Sequence, residues 1–215
     1  MNREDDPKNR VTFAEPQTHA DLGAALTVLA DSFQTAENFA AIFPDVQARQ
    51  RALRHLFRLL LRDAGHLGGV TVARQKGDIG AAVWYGPGQA QLTFSRQLQT
   101  VPELARIFAA SPASFLRFAR LGSALEKRTL SAPHRYLSAL GISPAWHGGG
   151  VGSALLELGT AGADAQGLPC YLETFSEANV RFYRRRGFEV VAQGDDLIPG
   201  GPPFWFMSRP AGKKP

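Results

Sequence analysis

The stretch HGGGVGSALL, residues 147–156, sets three successive glycines and a fourth two residues later directly before apolar residues at helical spacing. Glycine has no Cβ, so its backbone can pass close to a bound group and adopt left-handed conformations that other residues resist. A helix that starts immediately afterwards offers unpaired N–H donors and the positive end of its dipole to an anion. The stretch therefore predicts a phosphate cradle between a strand and a helix, and the rest of the chain decides which phosphate it holds.

Upstream, residues 136–142 are strand-like and end at Ser143-Pro144. Downstream, Val151, Ala154, Leu155, Leu158, Ala161 and Ala165 mark one face of a long helix that Gly167 and Pro169 terminate. A short buried strand over 170–174 follows, then a basic helix over 179–186 closed by Gly187, a strand over 188–193 and a last strand over 204–208. Towards the N-terminus, residues 1–10 read as a disordered leader and 11–13 as a short strand. Thr18 and Asp21 form a capping-box pattern before Leu22, Ala25, Leu26, Leu29 and Phe33 at helical spacing. The stretch around Phe39, Phe43, Pro44 and Asp45 is too irregular for a helix interior. It is expected to be a loop or short helix carrying exposed or site-lining apolar residues. Leu53, Leu56, Phe57, Leu60 and Leu61 give a second helix, with arginines 49, 51, 54, 58 and 62 on its solvated side. Residues 68–75 and 79–85 flank Lys76-Gly77-Asp78 as an antiparallel hairpin, which Gly86-Pro87-Gly88 ends. Residues 102–128 return to helical spacing, broken at Ser111-Pro112, and look like a two-helix insertion able to cover a site.

At 215 residues the chain suits one domain, and 44% apolar with 20% charged residues is ordinary globular usage. It holds no apolar run of about 18 residues, and its charged N-terminus lacks the apolar centre of a signal peptide, so a soluble, cytoplasmic protein with no membrane partner is expected. The single cysteine, Cys170, excludes an internal disulfide and a cysteine-built zinc site, and no metal is expected. A net charge of +5 is spread over several helices without a long basic run, which argues against nucleic acid and for a polyanionic small ligand or plain solvation.

Two ligand classes fit a glycine turn between strand and helix. For a dinucleotide, Gly148, Gly150 and Ser153 fall at G-x-G-x-x positions, and Glu173 lies near where a ribose-binding acid would stand. The turn comes too late in the chain for a full parallel sheet to follow, however, and no lysine lies between Lys127 and Lys213 to complete a nucleotide phosphate loop. For coenzyme A, GISPAWHGGGVGSALL resembles the Q/R-x-x-G-x-G/A signature of the GNAT superfamily of acyl-CoA N-acyltransferases, with His147, Gly150 and Gly152 at the signature positions and His in place of Gln or Arg. LETFSEANVRFYRRRGFEVV is similar to the strand and helix that close the cofactor site in that family. The resemblance is closest to the puromycin N-acetyltransferase-like branch, through the L-E-T strand, the F-Y-x-R-x-G-F helix end and the late element over 201–205. It covers about residues 134–209, with a fainter echo in AAVWYGPG at 81–88.

The resemblance implies a single mixed α/β GNAT-type domain over 11–209, with a central, mostly antiparallel, splayed sheet flanked by helices and a short tail over 210–215. It implies acetyl-CoA as cosubstrate and a small-molecule primary amine as acceptor, with direct transfer in a ternary complex, and it leaves a homodimer open. Cofactor contacts would come from Leu140 and Ile142 on the strand before the loop, from His147, Gly148, Gly149, Gly150, Val151, Gly152 and Ser153 in the cradle, and from Asn179 and Tyr183. The last two are four residues apart and so share one helical face. A departing thiolate, with a pKa of about 8.5 as a free thiol, needs a proton, and the Tyr183 hydroxyl is the candidate general acid. A backbone N–H near Ile142 would polarise the carbonyl. Glu173, an acid within a buried strand, is either the base or the partner of an arginine such as Arg181 or Arg184. His134 is a second candidate base, and Asp195 and Asp196 are either an attraction for a cationic amine or a solvated turn. A non-catalytic acyl-CoA sensor and an NAD-binding reductase are the rival readings.

Overall fold

The computed structural model describes residues 10–16, 18–67, 69–90, 94–128 and 132–212. Apart from residue 10, the leader expected over 1–10 lies outside the described residues, as do 213–215 of the tail and residue 68 of the first hairpin strand. The first part of the chain forms β1 (Thr12–Ala14), α1 (His19–Ser32), α2 (Glu37–Ile42), α3 (Val46–Gly65), β2 (Val70–Arg74), β3 (Asp78–Tyr85), α4 (Phe94–Ala110) and α5 (Pro112–Glu126). The second forms β4 (Arg135–Ile142), a 3-10 turn (Pro144–Trp146), α6 (Val151–Ala165), β5 (Cys170–Thr174), α7 (Glu177–Arg184), β6 (Glu189–Gly194) and β7 (Phe204–Arg209).

Local chemistry sets most of these boundaries. The Thr18 hydroxyl accepts from the Asp21 N–H at 3.1 Å while the Asp21 carboxylate accepts from the Thr18 N–H at 2.9 Å, closing the capping box that starts α1. Asp45 caps α3 through the Ala48 N–H at 2.7 Å, and Ser111 caps α5 with Pro112 in the first turn. The hairpin turn between β2 and β3 uses Lys76 and Gly77 at φ of 54° and 134°. α7 begins two residues earlier than its sequence pattern suggests, with Ser176 at the N-cap position, and Gly187 at φ 82° ends the turn after it.

The strands form one sheet in the order β1-β2-β3-β4-β5-β7-β6, antiparallel throughout except between β4 and β5. That single parallel pair is not the parallel sheet a dinucleotide fold requires. β4 is eight residues long, yet it pairs with β5 only through Arg135↔Cys170 and Tyr136↔Tyr171. Just beyond the last pair, the register with β3 slips from Trp84↔Leu137 to Val83↔Ala139 and leaves Ser138 unopposed. A bulge bends its strand, and from there the C-terminal ends of β4 and β5 run apart.

Both faces of the sheet are covered, which is why β3, DIGAAVWY, is a nearly continuous buried run. Ala81, Val83 and Tyr85 face a core shared with α1, α2, α3 and residues of α4 and α5, whereas Ala82 and Trp84 face a second core with α6 and α7. Phe39 and Phe43, expected to be exposed or to line a site, are 9% and 2% exposed and belong to the first of these cores. Of the α3 arginines, Arg49 departs from a solvated face and donates to the Phe43 carbonyl at 2.8 Å. α4 is fastened to α3 by the buried Glu103, which meets His55 Nδ1 at 2.6 Å and Arg106 at 2.8 Å. Asp164 of α6 accepts from Arg209 and from the Gly212 N–H, so the described part of the tail is pinned to the second core. Among the described residues, no helix is long and apolar enough to cross a membrane.

Candidate active site

The cradle begins with the turn over Pro144–Trp146, after which the His147 N–H donates to the Pro144 carbonyl at 3.2 Å and the Gly149 N–H to the Trp146 carbonyl at 3.3 Å. Gly148 and Gly150 stand at φ of 81° and 79°, in the left-handed region that glycine alone enters at little cost. Gly150 caps α6 with no side chain, so the N–H groups of Val151, Gly152 and Ser153 have no partner within the helix. These are the donors an anion at a helix N-terminus uses. A Cβ on Gly152 would lie 3.5 Å from Ile142 and 3.8 Å from Phe182, which sets this first turn against the end of β4 and against α7.

The alternation of β4 aims its backbone. The Ser143 N–H donates to the Ile79 carbonyl at 2.8 Å, so Ala139 and Gly141, in phase with Ser143, bond towards β3. The N–H groups of Leu140 and Ile142 then point the other way, into the opening towards β5. The Ile142 carbonyl, which also faces away from β3, accepts from His147 Nε2 at 3.1 Å. A carbonyl only accepts, so Nε2 carries the proton, and the exposed His147 ring ties the loop to the end of β4.

Tyr183 is 8% exposed, with its ring edge-on to Phe182 at 5.1 Å and tilted against Phe188 at 5.7 Å; Asn179, one turn earlier, is exposed. Burial pushes the Tyr183 hydroxyl well above the ordinary phenol range, and the negative charge of Glu173 adds to the shift. Glu173 is desolvated by its surroundings, with part of its surface still reaching solvent. Burial raises its carboxyl to about 7, and a hydrogen bond from the Tyr136 hydroxyl, 2.5 Å from Oε1, works in the opposite direction. The expected arginine partner is not there: Arg181 pairs with Glu177 at 3.5 Å, Arg184 is exposed, and Glu173 has no ion pair among the described residues. α7 turns these arginines outward, away from β5.

The remaining candidates are engaged elsewhere. His134 Nδ1 is 2.7 Å from the Ala132 carbonyl, and its ring stands edge-on to Tyr171. Asp196 forms a two-pronged pair with Arg128 at 2.7 and 3.1 Å, which fastens the late turn to the end of α5, while Asp195 is exposed. Cys170 is buried, and burial raises its thiol to about 11, so it is not a thiolate near neutral pH. Among the described residues, no group of three or more His, Cys, Asp or Glu could hold a metal ion.

Two residues of the site have no signal in the sequence alone. Tyr136 is one. The other is Arg186, whose guanidinium lies over the Phe182 ring at 3.8 Å, donates to the Phe182 carbonyl at 2.7 Å and bonds the Ser153 hydroxyl in the first turn of α6. Its Nε is buried without a partner, and it pairs with no carboxylate among the described residues. A cation at the positive end of a helix is unfavourable unless an anion joins it, so the cradle carries both donors and charge suited to a phosphate.

Residues 106–190 match the model of the acetyltransferase (GNAT) domain family. Over the whole chain, the structure is similar to that of a histone acetyltransferase HPA2 and related acetyltransferase of Corynebacterium glutamicum, at 28% identity and TM-score 0.69, covering 95% of this chain and 98% of that one. It is also similar to a polyamine N-acetyltransferase of Drosophila melanogaster that catalyses formation of N-acetylagmatine, at 18% identity and TM-score 0.63, covering 94% and 100%. The NatC complex bound to Gag peptide and CoA contains a further similar chain, at 10% identity and TM-score 0.56, covering 94% and 99%. The splayed, mostly antiparallel sheet with helices on both faces is thus the GNAT fold, and the match to the acetyltransferase (GNAT) domain family spans the chain from α4 to the start of β6.

Proposed function

We propose that this chain transfers an acetyl group from acetyl-CoA to the primary amine of a small molecule, with both held in one complex. The observation that carries the reading is the opening between β4 and β5, which has the glycine cradle at its end and Tyr183 and Glu173 close enough for their charges to interact. Acetyl-CoA supplies the acetyl group as a thioester, whose cleavage leaves a thiolate. The N–H groups of Val151, Gly152 and Ser153, at the end of the glycine loop, receive the pyrophosphate, and those of Leu140 and Ile142 donate to the thioester carbonyl oxygen. Glu173, with a carboxyl at about 7, accepts a proton from the incoming ammonium so that its nitrogen lone pair can attack. The Tyr183 hydroxyl, held protonated by burial, donates to the sulfur as the C–S bond breaks.

A small amine as acceptor is supported by the desolvated carboxyl, which attracts an ammonium, and by the activity of the Drosophila neighbour on agmatine. The likeness to the puromycin N-acetyltransferase-like branch belongs to this proposal too; it is carried by the L-E-T strand, the F-Y-x-R-x-G-F helix end and the late element over 201–205, which leads into β7.

Thermal unfolding with acetyl-CoA, NADH and buffer is the first test. A ligand at 100 times its Kd adds about 2.7 kcal/mol, a rise of roughly 5–10 °C for a chain of this size, expected with acetyl-CoA alone. A panel of amines then reads product. Tyr183→Phe should lower kcat about 10-fold or more with acetyl-CoA affinity kept, because it removes the proton and leaves the ring. Binding without product over the panel would replace the enzyme with an acyl-CoA sensor, and unchanged turnover in Tyr183→Phe would remove the acid.

A further inference from the structure

Glu173 stands two residues beyond Tyr171, the last residue of β5 that pairs with β4, on the same face of its strand and at the point where the two strands part. The titratable groups near it are phenols: Tyr136 from β4 and Tyr171 from its own strand on the same face, and Tyr183 from α7 on the other, with Phe206 opposite on β7. No lysine, arginine or histidine forms an ion pair with it among the described residues. Its carboxylate is therefore supported by one side chain, the Tyr136 hydroxyl at 2.5 Å from Oε1, and by its own backbone N–H. Tyr136 is the last β4 residue paired with β5 and has the Ser138 hydroxyl, from the bulge, as a second hydrogen-bonding neighbour.

Building on the acetyltransferase reading, we propose that Tyr136 is the positioning residue of the proton acceptor, holding Oε1 of Glu173 so that Oε2 is turned to the ammonium of the acceptor. A hydroxyl can only donate to the ionised carboxylate, so it favours the form that accepts a proton. Burial alone would favour the protonated acid, which cannot act as a base. Tyr136 does not titrate in competition, because burial and the charge of Glu173 hold its own hydroxyl well above the ordinary phenol range.

Tyr136→Phe keeps the ring and removes the donor. A hydrogen bond to a charged group is strong enough that its loss should raise the Glu173 titration by about one pH unit or more. The acidic limb of the kcat/KM profile for the best amine should move up by that amount, with acetyl-CoA affinity unchanged. Tyr171→Phe is the control: its hydroxyl bonds the Arg128 carbonyl and not Glu173, so the limb should stay in place. Glu173→Gln should remove the limb with Tyr136 intact. Carboxyl-carbon NMR of Glu173 in the free protein reads the same shift without any turnover. No movement of that titration in Tyr136→Phe, or equal movement in Tyr171→Phe, overturns the proposal. A shift by NMR in a protein that forms no product overturns instead the acetyltransferase reading on which it rests.

Discussion

Replacing Gly159 by Ala asks whether the sheet fixes α6, and through it the cradle. A Cβ at this position would lie 2.1, 2.2 and 2.5 Å from three atoms of the Trp84 indole, where carbon atoms pack at about 3.5–4.0 Å. The indole has nowhere to go. Trp84 is 2% exposed, and the Arg135 guanidinium stands 5.7 Å from its ring. α6 must therefore move outward. Overpacking costs about 1–3 kcal/mol and contacts this close fall in the upper part, about 2–3; the better helix propensity of Ala returns about 1, leaving a net loss of about 1–2 kcal/mol. For a chain of this length that is a fall in Tm of roughly 2–8 °C. The donors of Val151, Gly152 and Ser153 lie about two turns upstream on the same helix, so acetyl-CoA affinity should fall with stability. Gly23→Ala in α1 is the matched control: its Cβ would meet nothing within 4 Å, and its Tm should hold or rise. A Gly159→Ala protein with the Tm and acetyl-CoA affinity of the parent, or an equal loss in Gly23→Ala, would refute the packing argument.

Two further outcomes follow from the charges of the site. Because burial lifts Glu173 from an ordinary 4.5 to about 7, folding takes up a proton there; the stabilising contribution is complete below the unfolded value and is lost as pH rises through about 7. Glu173→Gln should accordingly gain stability over the parent between pH 5 and pH 8, by at most about 3 kcal/mol for a shift of that size, and an identical Tm difference at both pH values would contradict the shift. Arg186→Gln should weaken acetyl-CoA binding on the order of 10- to 100-fold by calorimetry and affect an acetylated pantetheine without phosphates far less, since the charged donor to phosphate is lost while the backbone N–H groups of the cradle remain. Equal losses for both ligands would mean that Arg186 shapes the cleft and does not meet the phosphates.

What could be read from the sequence is what short stretches encode on their own. The Thr18 and Asp21 capping box, the Ser111-Pro112 helix start and the left-handed glycines of the cradle depend on neighbours a few residues away, and each stands where the pattern puts it. Phe39 and Phe43 illustrate the limit: their composition resembles that of an exposed aromatic patch, and only the packing of α2 against α3 and α5 turns them inward. The three consecutive arginines at 184–186 are equivalent as letters. Arg184 and Arg185 are exposed, while Arg186 falls one turn after Phe182 and reaches across to Ser153, a residue 33 positions away that the helical pattern alone cannot bring near. Tyr136 and Glu173 are 37 positions apart and meet through a parallel register of only two residue pairs.

That short register also explains how one physical cause can serve two opposite tasks on the proposed reading. Alternation along β5 sends Leu172 into the core with α6 and α7, where Tyr183 lies, and turns Tyr171 and Glu173 to the other face. Desolvation acts on both titratable groups in the same direction, towards the neutral form. For Tyr183 it keeps the hydroxyl in the protonated form from which a donor starts, and the proton moves only as negative charge develops on the sulfur. For Glu173 it would ruin a base if it acted alone, and here the shift stops at about 7, with the Tyr136 hydroxyl opposing burial. The β4 bulge and the parting of the strands bring the two groups near one opening from opposite faces. A cleft closed by continued β4–β5 pairing would bury Glu173 further, raise its carboxyl above the range in which it can accept a proton near neutral pH, and leave the donor with no base to answer it.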